Sequence, residues 1–373
     1  MTSELFFNVL ESHYNENLPF VVYRKSNKTN LISLLQNNTD INFVSSFTES
    51  GFVMAPFDNE NDPIIIPLKN AKQIETDDYR AIEFNEHQEQ FDPNQKDKQS
   101  HIDLVSKGIA AIKDKKFDKV VLSRKEDVEI KEDDPFKLFK KLLDSYPQAF
   151  VYCWFHPETG LWLGATPETL LEIENKRLTT MSLAGTKPYK VTGNVSWNAK
   201  EIQEQKIVTD YLVEQLDNQI DSLQISDTQT IRAGNLVHLK TMVSGILKSK
   251  GNSLKNVINK LHPTPAVCGF PKVAAKHFIL ENENYNRAFY TGYLGELNYE
   301  KNQSRNRNFR NIENNAYSSI KKVTNLYVNL RCMKLEGNKA QVYVGGGITS
   351  DSNPQQEWEE TVAKTTTIKK VLQ

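Results

Sequence analysis

Between residues 149 and 186, three strand-length apolar runs ("AFVYCWF", "LWLGATPETLLEIE" and "RLTTMSLAGT") follow one another with no helical segment between them. A chain built on repeated strand–helix–strand units places a helix between successive strands, so this succession argues against a Rossmann-type or barrel arrangement. On either side the pattern changes. Upstream, "IDLVSKGIAAIKDKKF" reads as a helix, "DKVVLSRKEDVEI" as a strand, and "PFKLFKKLLDSY" as a helix with Pro135 in its first turn. Downstream come a helix over about 198–220, a strand ("LVHLKTMVSGIL") and a helix over about 253–260. A proline-rich connection ("LHPTPAVCGFP"), another helix, two further strand regions and a final helix complete the chain. Strands and helices mixed without a strict repeat predict an α+β fold.

Residues 1–100 alternate short apolar stretches ("LPFVVYR", "GFVMAPF", "PIIIPL") with Asn/Asp-rich turns. The polar stretch "FNEHQEQFDPNQKDKQSH" reads as a loop joining two parts of one architecture. The Asn- and Arg-rich segment 299–322 reads as a solvated hairpin extension rather than a nucleic-acid patch, because the surrounding chain carries no further basic face. The 46 lysines and arginines nearly cancel the 47 acids, for a net charge of -1, so no global field draws the chain to nucleic acid or an acidic membrane. A small-molecule partner is expected instead. Cys153, Cys268 and Cys332 are widely spaced and form no CxxC, which suits a reducing compartment. No apolar run approaches the roughly 20 residues of a membrane span, and the N-terminus does not read as a signal peptide. A cytoplasmic protein is the expectation.

Several charged residues stand where burial is expected. Lys119 opens the apolar strand "KVVL", a costly place for an ammonium unless something there needs an amine. In the last helix Asn353 reads as the N-cap, Pro354 as the first helical residue and Gln356 as the partner in a capping box. On that register Glu357, Glu360, Lys364, Ile368 and Val371 share one face. Glu204 extends the apolar stripe of Val208, Tyr211 and Leu212 in the same way. Two inward carboxylates on separate helices, Glu204 and Glu360, suit one Mg²⁺, a cation that prefers oxygen ligands. A run of solvated charges explains the spacing too.

Other signals are weaker. The glycines of "VYVGGGITS" permit close backbone approach, but no P-loop follows. The segment Ala184-Gly185-Thr186, read as a strand end, suits a carboxylate or a plain turn. Arg331, read as lying within an apolar strand, needs an anionic partner, whether a protein acid or a ligand. His238 reads first as a core histidine. Glu168, at a turn after Thr166-Pro167, is placed to enter a cleft or to serve the turn.

Together these segments resemble the chorismate-utilising enzymes, the anthranilate synthase component I-like family, and among them the isochorismate synthases. The matching stretches are "FDKVVLSRK", "GATPETLLEI", "LAGTKP", "EIQEQKIVTDYL", "VHLKT", "LHPTPAVCGFPKVAAKHFI", "YTGYLGELN", "LRCMKL" and "GGGITSDSNPQQEWEETVAK", in the family's order from about residue 100 to the C-terminus. The resemblance implies two large stacked, mostly antiparallel sheets flanked by helices, with the active site in the cleft between them. It makes 101–373 the chorismate-binding catalytic region and 1–100 a divergent N-terminal part of the same fold.

It also implies roles. Lys119 matches a general base that takes a proton from the water attacking C2 of chorismate, a task for a neutral amine. Glu168 matches the general acid for the departing C4 hydroxyl, which a raised carboxyl pKa favours. Glu204 and Glu360 match Mg²⁺ ligands, and Glu357 a second acidic position acting through water. Gly185, Thr186, Ala266, Arg331, Gly345 and Lys364 match substrate-binding positions, Arg331 at the enolpyruvyl carboxylate, and His238 joins them.

Enzymes of the family that use ammonia generally lack a lysine at the Lys119 position, so water is the expected nucleophile and no amidotransferase subunit is required. An isomerase acting as a monomer is implied, feeding menaquinone or siderophore synthesis. Salicylate synthase, which goes on to eliminate pyruvate, is the alternative, and "LHPTPAV" reads more like isochorismate synthases. A non-catalytic chorismate-binding protein is a third reading. Three departures stand out: Gln205 replaces the family's usual histidine, Gly346 its usual alanine, and the 299–322 segment is longer than usual.

Overall fold

The computed structural model describes residues 1–373 apart from 82–94, 131, 133, 190–194, 234–235, 249–252, 304–318 and 373. In chain order its strands are β1 (Phe20–Arg24), β2 (Leu31–Gln36), β3 (Gly51–Ala55), β4 (Ile64–Pro67), β5 (Ala71–Thr76), β6 (Lys119–Glu129), β7 (Phe150–His156), β8 (Gly160–Thr166) and β9 (Thr169–Glu174). They continue with β10 (Arg177–Pro188), β11 (Ile220–Ile225), β12 (Gln229–Ala233), β13 (Leu236–Leu247), β14 (Gly269–Phe270), β15 (Tyr293–Gln303), β16 (Ser319–Val328), β17 (Cys332–Glu336) and β18 (Lys339–Ile348). The helices are α1 (Ser3–Asn15), α2 (Gln95–Lys113), α3 (Pro135–Ser145), α4 (Ala199–Asp217), α5 (Ser253–Leu261), α6 (Lys272–Asn282) and α7 (Pro354–Lys369).

The strands form two sheets, ordered β14-β6-β18-β17-β8-β7-β1-β2-β5 and β11-β13-β10-β9-β16-β15-β3-β4, with β12 also paired to β13. Every pairing among the described residues is antiparallel. Strand β7 is buried at every position because both of its faces are covered. Val151, Cys153 and Phe155 pack outward in a cluster with Phe136, Phe139 and Leu142 of α3 and Phe6 of α1. The alternate residues Phe150, Tyr152 and Trp154 pack inward with Phe52 and Met54 of β3 and Leu294 of β15. The second sheet buries Leu178 and Val243 against Val208, Leu212 and Leu216 of α4 and Val257 of α5. Helix–sheet–sheet–helix layering follows, as the fold reading predicted, and residues 20–76 contribute strands to both sheets.

The differences from expectation have local causes. The polar stretch ending at His101 is not all loop, since α2 already begins at Gln95; residues 84–94 of it lie outside the described residues. Strands β11 and β12 were not foreseen, because β11 is an edge strand exposed along most of its length and carries no apolar alternation. Strand β10 does not end across Ala184-Gly185-Thr186 but passes through them with a register shift between Ala184 and Thr186 and continues to Pro188. In the 299–322 segment, β15 and β16 pair from Tyr299↔Val323 to Gln303↔Ser319, and the connection 304–318 lies outside the described residues. Asn353 caps α7 as expected, accepting from the backbone N–H groups of Gln355 and Gln356. Among the described residues no helix is long and apolar enough to cross a membrane, and all three cysteines are free and buried.

Candidate active site

Alternation along β6 explains the misplaced lysine. Val120 and Leu122 pack outward against α2 and α6, whereas Lys119 and Val121 face a cavity of about 130 Å³ between the two sheets. Lys119 is 1% exposed, and its Nζ lies 3.1 Å from Glu204 Oε1 on α4. Strand β18 runs beside β6, with Gly345, Gly346 and Gly347 opposite Ser123, Leu122 and Val121. A Cβ at Gly347 would stand 1.9 Å from Glu204 Oε1 and 3.1 Å from Lys119 Cε, so only glycine leaves that ion pair its place. At Gly346 a Cβ would meet Glu357 Oε2 at 3.5 Å and Glu360 Oε1 at 3.8 Å, ordinary contacts that an alanine tolerates.

Three carboxylates thus converge on this stretch of β18, each with its own lysine. Besides the Lys119–Glu204 pair, Lys364 Nζ is 2.7 Å from Glu360 Oε1 and also donates to the Gly345 carbonyl at 3.1 Å. Lys200 Nζ is 2.6 Å from Glu357 Oε1. Burial and the neighbouring Glu360 carboxylate push Glu357 above the usual carboxylate range against the pull of Lys200. Burial also acts to raise Glu360, but Lys364, Lys200 and Lys119 together hold it below that range. For Lys200 burial acts downward, and Glu357 with Glu360 and Glu204 behind it holds the ammonium above its ordinary value.

Among the described residues no three His, Cys, Asp or Glu side chains are grouped so as to hold a metal ion by themselves. A hard divalent cation nevertheless fits the donors, because Mg²⁺ commonly takes only one or two protein carboxylates and completes its shell with water and substrate oxygens. Among the described residues the buried Glu357 Oε2 has no hydrogen-bond partner, which marks an acceptor still to be satisfied.

The opposite wall comes from the second sheet. Glu168, 4% exposed, occupies the turn between β8 and β9, where its backbone N–H donates to Thr166 Oγ1 and its carbonyl accepts from Val328. Burial pushes its carboxyl up to about 8 against the pull of Lys119, so it is protonated at neutral pH. Gly185 sits in the β10 bulge at φ +70°, and a Cβ there would approach the Glu201 backbone carbonyl to 3.2 Å. Next to it, Thr186 Oγ1 is 3.2 Å from His238 Nδ1. Arg331 Nη2 stands 3.3 Å from His238 Nε2; since a guanidinium only donates, Nε2 must accept and Nδ1 carries the proton. Burial, with Arg331 and Lys364 nearby, lowers His238 to about 3 and keeps it neutral.

Arg331 is not in a strand. It lies between β16 and β17 at φ +48°, and burial lowers its pKa. Among the described residues no carboxylate pairs with it, leaving its charge directed at the cavity it lines. The same cavity is lined by Lys119, Glu168, Thr186, Glu204, His238, Ala266, Gly345, Glu360 and Lys364. Of the residues singled out from the sequence, Gly185 and Glu357 stand just behind this surface. Gln205 faces the other way, with Nε2 donating to the Ser182 carbonyl and Thr241 Oγ1, so it ties α4 to the sheet. The sequence reading missed Lys200, although its place four residues before Glu204 puts it on the same helix face.

A chorismate binding enzyme family model matches residues 53–304 and a second, also for chorismate binding enzymes, matches 316–370. Isochorismate synthase EntC of Escherichia coli K12 is 30% identical over 279 residues, which span 72% of this chain and 66% of that protein, just under two thirds of its length. Among solved structures, a putative 2,3-dihydroxybenzoate-specific isochorismate synthase, DhbC, from Bacillus anthracis superposes with a TM-score of 0.74 at 23% identity, covering 97% of this chain and 99% of that one. MenF, the menaquinone-specific isochorismate synthase of Escherichia coli, gives 0.72 at 19% identity, over 95% and 89% of the two chains. These two likenesses establish the fold.

The Glu168 environment has a consequence for stability. A carboxyl that keeps its proton to about 8 when folded, against 4.5 ordinarily, binds more protons in the native state between those values, so stability falls as pH rises through that window. Urea unfolding from pH 5 to 8 is expected to show a decline on the order of a few kcal/mol that Glu168→Gln flattens. Equal slopes for the two proteins would show that Glu168 ionises normally.

Proposed function

The chain belongs to the chorismate-binding enzymes, and from that premise we propose that it is an isochorismate synthase, an isomerase that adds water at C2 of chorismate and expels the C4 hydroxyl. The observation that carries this reading is the pairing of a buried amine with a buried, protonated carboxyl on opposite walls of one cavity. The water oxygen bonds to C2, the ring double bonds shift and the C4–O bond breaks. Lys119 would take the proton lost by the attacking water, a role that requires it first to leave its ion pair with Glu204 and shed its own proton, and Glu168 gives its proton to the departing hydroxyl, so one water enters and one leaves. The raised carboxyl of Glu168 keeps that acid loaded at neutral pH.

Arg331 would hold the enolpyruvyl carboxylate, for which its guanidinium, half-buried and paired with no carboxylate among the described residues, is suited. Thr186, His238, Gly345, Lys364 and Ala266 would complete the substrate's surroundings, with the Gly185 bulge setting the position of Thr186. Glu204 and Glu360, with Glu357 behind them, would hold a divalent cation such as Mg²⁺. When bound, that ion supplies positive charge beside the ring carboxylate of the substrate. On this reading residues 101–373 carry all of the chemistry and residues 1–100 complete the two sheets. The presence of Lys119 favours water over ammonia as nucleophile, so no amidotransferase subunit is called for, and a monomer in the cytoplasm suffices.

Incubating the purified protein with chorismate, with and without Mg²⁺, and separating the products tests the reading. Mg²⁺-dependent isochorismate is the expected product. Salicylate with matching pyruvate would make the protein a salicylate synthase, and no turnover would leave a chorismate-binding protein. Lys119→Ala is expected to lower turnover by about 10²-fold or more while the variant still binds chorismate and Mg²⁺, as measured by calorimetry. Normal turnover by that variant would remove Lys119 from the base role.

A further inference from the structure

The acid cluster contains a cation that the proposed chemistry does not use. Lys200 opens the first turn of α4, four residues before Glu204, and reaches across to α7, where its ammonium sits 2.6 Å from Glu357 Oε1. Of the lysines that pair the three carboxylates, Lys119 and Lys364 line the cavity and Lys200 does not. Its partner Glu357 is 2% exposed, and the second oxygen of that carboxylate is buried without a hydrogen-bond partner among the described residues. That free oxygen and Glu360 Oε1 both face Gly346, at 3.5 and 3.8 Å from a Cβ built there. Two acid groups therefore share one patch of backbone, and one of them is held by an ammonium that arrives from behind.

We propose that Lys200 is a built-in counter-ion which competes with the divalent cation for this acid cluster, so that it sets how tightly the metal binds. The proposal rests on reading Glu204, Glu357 and Glu360 as the cation site. Without a metal, the buried Glu357 carboxylate and the half-buried Glu360 repel one another, and an ammonium on Glu357 offsets that repulsion while joining α4 to α7. With a metal present the same ammonium repels it. Removing Lys200 leaves a buried, uncompensated carboxylate, a state strongly disfavoured unless another cation takes its place. Lys200 is thus a positioning residue: it keeps the acids assembled before the ion arrives and keeps the ion exchangeable.

Calorimetric titration of Mg²⁺ into the full-length protein, without chorismate, reads this directly in the wild type, Lys200→Gln, Glu357→Gln and the double variant. Lys200→Gln is expected to bind Mg²⁺ about fivefold more tightly than wild type, the scale of one lost charge interaction at a partly screened site. In the Glu357→Gln background the gain should vanish, because Lys200 acts through that carboxylate. A purely structural tie between α4 and α7 predicts unchanged or weaker binding. Either of those results in a variant with wild-type circular dichroism, or an equal gain with Glu357 already neutralised, would overturn the proposal. If Lys200→Gln does not fold, Lys200→Met, which keeps the apolar stem, replaces it with the same expectation. A wild type that takes up no Mg²⁺ at millimolar concentration would overturn the cation-site reading itself, an outcome seen in the wild-type trace alone.

Discussion

Everything at this site depends on keeping a lysine ammonium and its glutamate out of water between two sheets. Lys119 is 1% exposed and Glu204 13%, yet the pair survives this burial because each partner is positioned by a separate rigid element, β6 and α4. The same arrangement recurs twice nearby, with Lys364 on Glu360 and Lys200 on Glu357. Across the cavity Glu168 has no such partner at hydrogen-bond distance among the described residues, and burial therefore keeps it protonated. One wall is thus a set of compensated charges and the other a neutral acid. On the proposed reading that asymmetry separates the side of a bound molecule on which Lys119 would take a proton, once released from Glu204, from the side on which Glu168 would give one.

The two walls are held apart by packing rather than by loops. Between the sheets, Trp162 stacks on Tyr343 with centroids 5.3 Å apart, and Tyr343 in turn on Tyr290 at 5.4 Å. Tyr290 and Tyr343 are also where the apolar interior meets the cavity, so the aromatic core forms the cavity's inner boundary. On the outside, β6 and α7 are tied by Arg124, whose Nε donates to Thr361 Oγ1 at 2.9 Å and whose guanidinium lies 4.4 Å from the Trp358 ring centroid. Lys369 and Glu126 add an ion pair between the same two elements. On the far edge of β6, Arg287 donates to the Val121 carbonyl and to Glu283, while Glu283 accepts from the Ser123 backbone. The strand that carries Lys119 is braced on both sides, which is the rigidity a preorganised site needs.

How much of this was readable beforehand depends on whether the signal is local. The inward stripe of α7 was legible because an asparagine cap and a proline fix its register, and Glu357, Glu360, Lys364 and Ile368 then fall on one face. Helix α4 was legible for the same reason, through Val208, Tyr211 and Leu212. Lys119 announced itself by its chemical mismatch with the strand it opens. The edge strands β11 and β12 left no trace, since an exposed strand needs no apolar alternation. Arg331 was read as a strand residue because its neighbours are apolar, whereas its left-handed backbone follows from the connection between β16 and β17. The Lys200–Glu357 contact joins residues 157 positions apart, and no local pattern records it. The triple glycine, ambiguous as a motif, acquires its reason only once Glu204 is seen to occupy the space above Gly347.

The central claim is that a solvent water, deprotonated from the Lys119 side, becomes the new hydroxyl. Running the reaction in ¹⁸O-labelled water and locating the label by mass spectrometry tests this most directly. The account predicts one ¹⁸O atom in isochorismate, at the C2 hydroxyl, with the remaining chorismate unlabelled at early times. Isochorismate formed without label would mean that the C4 hydroxyl itself had been carried to C2, and the division of labour between Lys119 and Glu168 would be wrong.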